Sequence, residues 1–145
     1  MIATTFVDTN VLICALDDAD LKKQQAARRW REELWRNRSG RISFQILQEF
    51  YAKITRKWPD ARPQARVEVH DLMAWQPLVI DGEQIELAWK IQDRLKFSFW
   101  DALVVAAAKS LNCRYLLTED LQADQELEGV LVVNPFSCDP QQLSG

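Results

Sequence analysis

The chain has 145 residues, 48% hydrophobic and 27% charged, with a formal net charge of −3: one domain's worth of an ordinary globular protein, large enough to fold without disulfides or a structural metal. Its three cysteines (Cys14, Cys113, Cys138) are odd in number and lack C-x-x-C spacing, which excludes a disulfide framework and a zinc site; the single histidine, His70, argues against histidine-based catalysis and reads as a structural or surface residue. No apolar run approaches the length of a bilayer span and no basic segment precedes a long apolar stretch at Met1, so no membrane association and a cytoplasmic location are expected.

No repeat or Pro/Gly-rich linker divides the sequence, so residues 1–145 are read as a single domain. Phe6-Val7 predicts a short buried strand, with Asn10 capping the apolar turn Val11-Leu12-Ile13. The spacing of Ala26, Ala27, Trp30, Leu34 and Trp35 predicts a helix over 21–35. Ile42-Ser43-Phe44 predicts a second strand. Ile46, Leu47, Phe50, Tyr51, Ile54 and Trp58 then mark a helix stopped by Pro59, and another helix runs from Pro63 to Trp75. Leu78-Val79-Ile80 predicts a third strand, followed by Asp81 as N-cap of a helix to about Leu95. A helix over 100–111 and strands over 115–117 and 130–133 complete the chain. Short apolar strands separated by helices predict an α/β three-layer fold: a mostly parallel sheet of about five strands with helices on both faces. The six tryptophans, at helical spacings, are expected mostly in the core.

Charge is segregated along the chain. Between Leu21 and Arg66 stand 13 basic residues against four acids, so this stretch carries +9 and the remainder −12. That asymmetry suggests a polyanion-binding flank beside an acidic remainder, against the plainer reading of a solvated helix surface.

Ligands of open α/β sheets sit beyond the carboxyl ends of the strands, so residues just after each strand carry the chemistry. There stand Asp8-Thr9-Asn10 and Thr118-Glu119-Asp120, with Asp101 opening the helix before the latter strand and Glu49 one turn into the helix after the second strand. Four carboxylates at one edge repel unless a cation holds them, and an oxygen donor set without His or Cys suits Mg²⁺ or Mn²⁺. Each acid also has a plain structural use, and Asp8 can simply end its strand. Glu49 can pair with Lys53 at i+4, Asp101 stands in a capping box with Ser98, and Asp120 can cap a short helix.

Three segments carry a resemblance: Phe6-Val7-Asp8-Thr9-Asn10-Val11-Leu12, Phe97-Ser98-Phe99-Trp100-Asp101-Ala102-Leu103 and Leu116-Leu117-Thr118-Glu119-Asp120-Leu121. In order and placement they resemble the hallmark motifs of the PIN domain, and in particular the VapC-like ribonuclease toxins of bacterial type II toxin–antitoxin systems. The resemblance implies a metal-dependent endoribonuclease whose Asp8, Glu49, Asp101 and Asp120 bind Mg²⁺ or Mn²⁺, with Asn10 and Thr118 as polar supports. It also implies a homodimer and a small antitoxin partner, expected to inhibit by placing an Arg or Lys beside Asp8 and Asp101. Asp124 stands as a further candidate acid. The basic stretch supplies candidate RNA contacts: Arg28, Arg29, Arg31, Lys53 and Arg56.

Three other classes compete. A haloacid-dehalogenase-like phosphatase needs a second Asp where Asn10 stands. A phosphate-accepting receiver domain needs a Lys soon after Thr118. A non-catalytic RNA-binding PIN scaffold needs none of the acids, all four of which are present.

Overall fold

Thr5, Phe6 and Val7 form strand β1 and all three are buried, in the computed structural model that describes residues 1–143. Successive residues of a strand face opposite sides, so burial at each one means that both faces are covered. β1 pairs in parallel with β2 (Gly40–Arg41) on one side and with β3 (Tyr115–Leu117) on the other. β5 (Val130–Val133) adds in parallel to β3, and β4 (Glu126–Leu127) closes the far edge antiparallel to β5. The order is β2-β1-β3-β5-β4. This mostly parallel five-stranded sheet between helices is the architecture expected from the sequence. Of the expected range 1–145, Ser144 and Gly145 lie outside the described residues.

The strand membership differs from the expectation at three points. Ile42-Ser43-Phe44 is not the second strand. β2 ends at Arg41, the Ser43 hydroxyl caps the next helix by accepting from the Ile46 amide, and Phe44 is already that helix's first residue. Leu78-Val79-Ile80 is reduced to a single bridge between Leu78 and Ser43, with Val79 exposed. The fifth strand is instead β4, joined to β5 by Glu128-Gly129, where both residues have positive φ (54° and 85°), as a tight two-residue hairpin turn requires.

Six helices follow the expected order: α1 (Thr9–Cys14), α2 (Leu21–Asn37), α3 (Phe44–Lys57), α4 (Arg62–Leu72), α5 (Gly82–Leu95) and α6 (Phe99–Ser110). α1 is capped by Asp8 rather than Asn10, because the Asp8 carboxylate accepts from the Thr9 amide. α2 runs two residues beyond Trp35 and ends on Arg38 in the left-handed conformation. α4 stops at Leu72, its expected last turn tightening into a 3₁₀ turn over Met73–Trp75. Asp81 and Gln84 form a reciprocal capping box at α5, as expected for Asp81. No helix among the described residues is long and apolar enough to cross a membrane.

α6 is the central helix, buried at every position from Ala102 to Ala108. Of the six tryptophans only Trp30 is fully buried; its indole N–H donates to the Cys138 carbonyl at 2.9 Å, while Trp35, Trp89 and Trp100 are exposed. The expectation that the tryptophans lie mostly in the core is therefore corrected. Trp35 on α2, Trp89 on α5 and Trp100 on α6 each stand at a helix position left in solvent. His70 is exposed, one of the two readings given to it.

Candidate active site

The parallel ladder continues one residue past the strands. The Asp8 amide donates to the Leu117 carbonyl at 3.0 Å and the Thr118 amide to the Val133 carbonyl at 3.0 Å, which sets Asp8 and Thr118 side by side at the carboxyl edge of the sheet. The Thr118 hydroxyl donates to Asp8 Oδ2 at 2.8 Å, and Thr118 Oγ1 accepts in turn from the Asp120 amide at 3.1 Å. Asp8 Oδ1 accepts from the Thr9 amide at 2.8 Å. One carboxylate thus has an oxygen fixed by the first amide of α1 and the other by a buried hydroxyl.

Glu49 reaches the same place from α3. Its Oε2 accepts from the Thr9 hydroxyl at 3.1 Å and its Oε1 from the Gln45 amide at 2.8 Å. Glu49 forms no ion pair with Lys53 among the described residues, so the i+4 alternative is not realised. Asp101 lies in the first turn of α6, where its backbone amide is taken by the Ser98 hydroxyl at 3.1 Å. Its carboxylate makes no hydrogen bond within the described residues. Asp120 is exposed and caps no helix.

These four acids line one cleft of about 530 Å³, together with Asn10, Lys53 and Trp100. Burial pushes the Asp8 carboxyl up from 3.8 to about 6, opposed by its hydrogen bonds to Thr118 and Thr9 and reinforced by the neighbouring charges of Asp120 and Glu49. Both polar atoms of the Asn10 amide are buried without a partner at the cleft wall. The donor set is carboxylate and amide oxygen, with no His or Cys in the lining. Among the described residues no three acidic, His or Cys side chains are gathered tightly enough to hold a metal by themselves. Mg²⁺ is nonetheless compatible with this set, because it commonly takes one or two carboxylates and completes its shell with water and substrate oxygens.

The other candidates lie elsewhere. Asp124 is exposed, does not line the cleft, and has positive φ beside Cys138. Arg28 donates to the Ala15 carbonyl, Arg29 pairs with Asp139 and Arg31 with Glu68, each outside the cleft. Lys53 lines the cleft, and Arg56 is exposed farther along the same helix. The sequence reading passed over Thr9 and Gln45, which hold Glu49. Gln45 stands at i−4 from Glu49, a spacing that was available as a signal. Trp100 departs from the expectation that the tryptophans lie mostly in the core: it is 62% exposed at the cleft, its ring edge-on to Phe99.

No curated protein sequence matches the chain. Among solved structures it is similar to a toxin–antitoxin complex from Klebsiella pneumoniae (20% identity, 91% of this chain and 98% of that one, TM-score 0.61). It is also similar to VapBC2 from Rickettsia felis, solved bound to a DNA fragment from its promoter (13% identity, 89% and 96%, TM-score 0.66). A third is VapC20 from Mycobacterium tuberculosis, a sarcin–ricin loop cleaving toxin (19% identity, 78% and 87%, TM-score 0.59). At these identities the likeness is one of fold. A family model described as PIN domain matches residues 5–125, most of the chain and all four acids of the cleft. The chain belongs to the PIN domain family.

Proposed function

We propose that this protein is a metal-dependent endoribonuclease that hydrolyses RNA phosphodiester bonds in the cytoplasm, acting as the toxin of a toxin–antitoxin pair. The observation that carries the reading is the convergence of Asp8, Glu49, Asp101 and Asp120, from four separate segments, on one cleft without a competing His or Cys. Asp8 and Asp101 would hold Mg²⁺ or Mn²⁺, with Asp120 and Glu49 beside them. Such an ion, when bound, lowers the pKa of a water and offsets charge on the scissile phosphate.

The remaining work belongs to the chain itself. Thr118 and the Thr9 amide fix the two oxygens of Asp8, while Gln45 and the Thr9 hydroxyl fix those of Glu49. The unpartnered Asn10 amide is available to a ligand in the cleft. Lys53 supplies a cation for the RNA backbone, and the exposed Trp100 indole a face on which a base can stack. An antitoxin would inhibit by covering this cleft with a basic side chain, since carboxylates without a cation are ready acceptors for Arg or Lys. A homodimer is part of the same reading.

The test is RNA cleavage titrated with Mg²⁺ or Mn²⁺ for wild type, Asp8→Asn and Asp101→Asn. Metal-dependent cutting by wild type and its loss in both folded variants is expected. Wild-type cutting by folded Asp101→Asn would remove Asp101 from the chemistry, and no cutting by wild type at any metal concentration would leave a non-catalytic scaffold.

A further inference from the structure

A second hollow, of about 560 Å³, lies at the opposite end of the sheet. Gly40 begins β2 opposite Thr5 at the start of β1, whereas Asp8 follows the end of β1. Leu111, just past the last residue of α6, lines the hollow, and Asp101 sits in the first turn of that 12-residue helix, so roughly 15 Å of helix separates the two places.

The walls are two indoles and two guanidinium groups. Trp35 and Trp75 pack with ring centroids 6.2 Å apart, tilted by 41°. The Trp75 ring lies so close to β2 that a Cβ on Gly40 would come within 2.5 Å of it, so only glycine permits this contact. Arg41 Nη1 donates to the carbonyls of Arg38 (3.1 Å) and Gly40 (2.9 Å), which fixes the guanidinium and leaves its other N–H groups without an acceptor among the described residues. Neither Arg38 nor Arg41 pairs with a carboxylate among the described residues, and no acid lines the hollow.

The hollow on the other side of Trp35 makes the contrast. There Arg31 pairs with Glu68 and Arg36 with Glu32, and with Arg28 and Asp71 the lining holds three arginines and three acids, so it carries no net charge. The Trp35–Trp75 hollow joins two arginines without carboxylate partners to two aromatic faces and has no acid in its lining, unlike the cleft, where Lys53 and Trp100 stand among four acids. That combination fits a nucleotide of a single strand: the base stacks on an indole and the phosphate takes the guanidinium donors. A simple polyanion would gain nothing from the indoles.

We infer that the Trp35–Trp75–Arg38–Arg41 hollow is a second, non-catalytic binding site for single-stranded RNA, distant from the carboxylate cleft. It holds RNA whether or not the cleft cuts it.

The experiment uses the full chain carrying Asp8→Asn, in chelator, with a labelled ten-nucleotide RNA followed by fluorescence anisotropy across a salt series. Adding Arg38→Glu and Arg41→Glu should weaken binding at least ~10-fold and lower the salt slope by about 1.4, two single-strand phosphate contacts' worth. Trp35→Ala, at an exposed position that spares the fold, should weaken binding about 10-fold with the slope unchanged. RNA bearing 4-thiouridine should crosslink to the peptides containing Trp35 or Trp75. Unchanged affinity in both variants, or crosslinks confined to the cleft peptides, would overturn the site. Equal competition by an acidic, tyrosine-rich peptide would reassign it to a protein partner. Cleavage is read nowhere in this design, so a negative result here is separable from failure of the nuclease reading.

Discussion

Thr118 Oγ donates to Asp8 Oδ2 at 2.8 Å while accepting from the Asp120 amide at 3.1 Å, so one buried hydroxyl links two of the four acids of the cleft. Its position is set by the backbone: Asp8 bonds to Leu117 and Thr118 to Val133 as extensions of adjacent parallel strands. The hydroxyl opposes the effect of burial on Asp8 and favours its ionised form.

Thr118→Val removes the hydroxyl at nearly constant volume and leaves both a carboxylate oxygen and an amide without a partner. A loss of about 1.5–3 kcal/mol is expected near neutral pH. Thr118→Ser should recover most of it. Urea unfolding of the three proteins checks this; a Val variant as stable as wild type would show that Asp8 needs no help from Thr118.

The raised Asp8 carboxyl makes stability fall as pH rises. Below about 3.8 the group is protonated folded and unfolded, and it costs nothing. Between 3.8 and about 6 the folded protein holds the proton more tightly than the unfolded chain, so the cost of ionisation grows and is complete above about 6. Its ceiling is about 3 kcal/mol. In chelator, Asp8→Asn should therefore be more stable than wild type at pH 7, with the difference shrinking towards pH 4. Melts across that range decide it, and a variant less stable than wild type at pH 7 would contradict the burial argument.

Mn²⁺ should raise the melting temperature of wild type, by an amount equivalent to about 2.7 kcal/mol at one hundred times its Kd. Asp101→Asn keeps the Ser98 cap, which uses only the Asp101 amide, and should fold normally while gaining much less from Mn²⁺. Equal gains in the two proteins would mean that Asp101 does not bind the ion.

The basic stretch divides by partner. Lys53 and Arg56 have no carboxylate partner among the described residues, so Lys53→Ala with Arg56→Ala should weaken RNA binding and lower the salt slope by up to about 1.4. Arg31 pairs with Glu68 at 2.5 Å, both side chains mostly buried. Arg31→Ala should cost about 1–3 kcal/mol of stability, between the surface and buried limits, and leave the salt slope alone. Binding curves at several salt concentrations beside urea melts separate the two roles.

The sequence by itself determined the parts whose signals are local. The caps at Asp81 and Ser98 act within one turn, the apolar run of α6 requires burial on all sides, and four acids beside strand ends or helix starts mark the carboxyl edge of a parallel sheet. Only the tertiary structure decided which apolar triplets pair. Leu78-Val79-Ile80 reads like Tyr115-Leu116-Leu117, yet just Leu78 meets a partner, because a strand exists only where a neighbouring backbone offers its donors and acceptors. The same holds for tryptophan. Trp30 and Trp35 stand five residues apart on α2, and the helix turn puts one beneath the Cys138 carbonyl and the other beside Trp75 in solvent. Glu49 could have paired with Lys53 on its own helix. Thr9 and Gln45 hold it instead, since α1 and α3 meet at the end of β1, a meeting that no segment encodes alone.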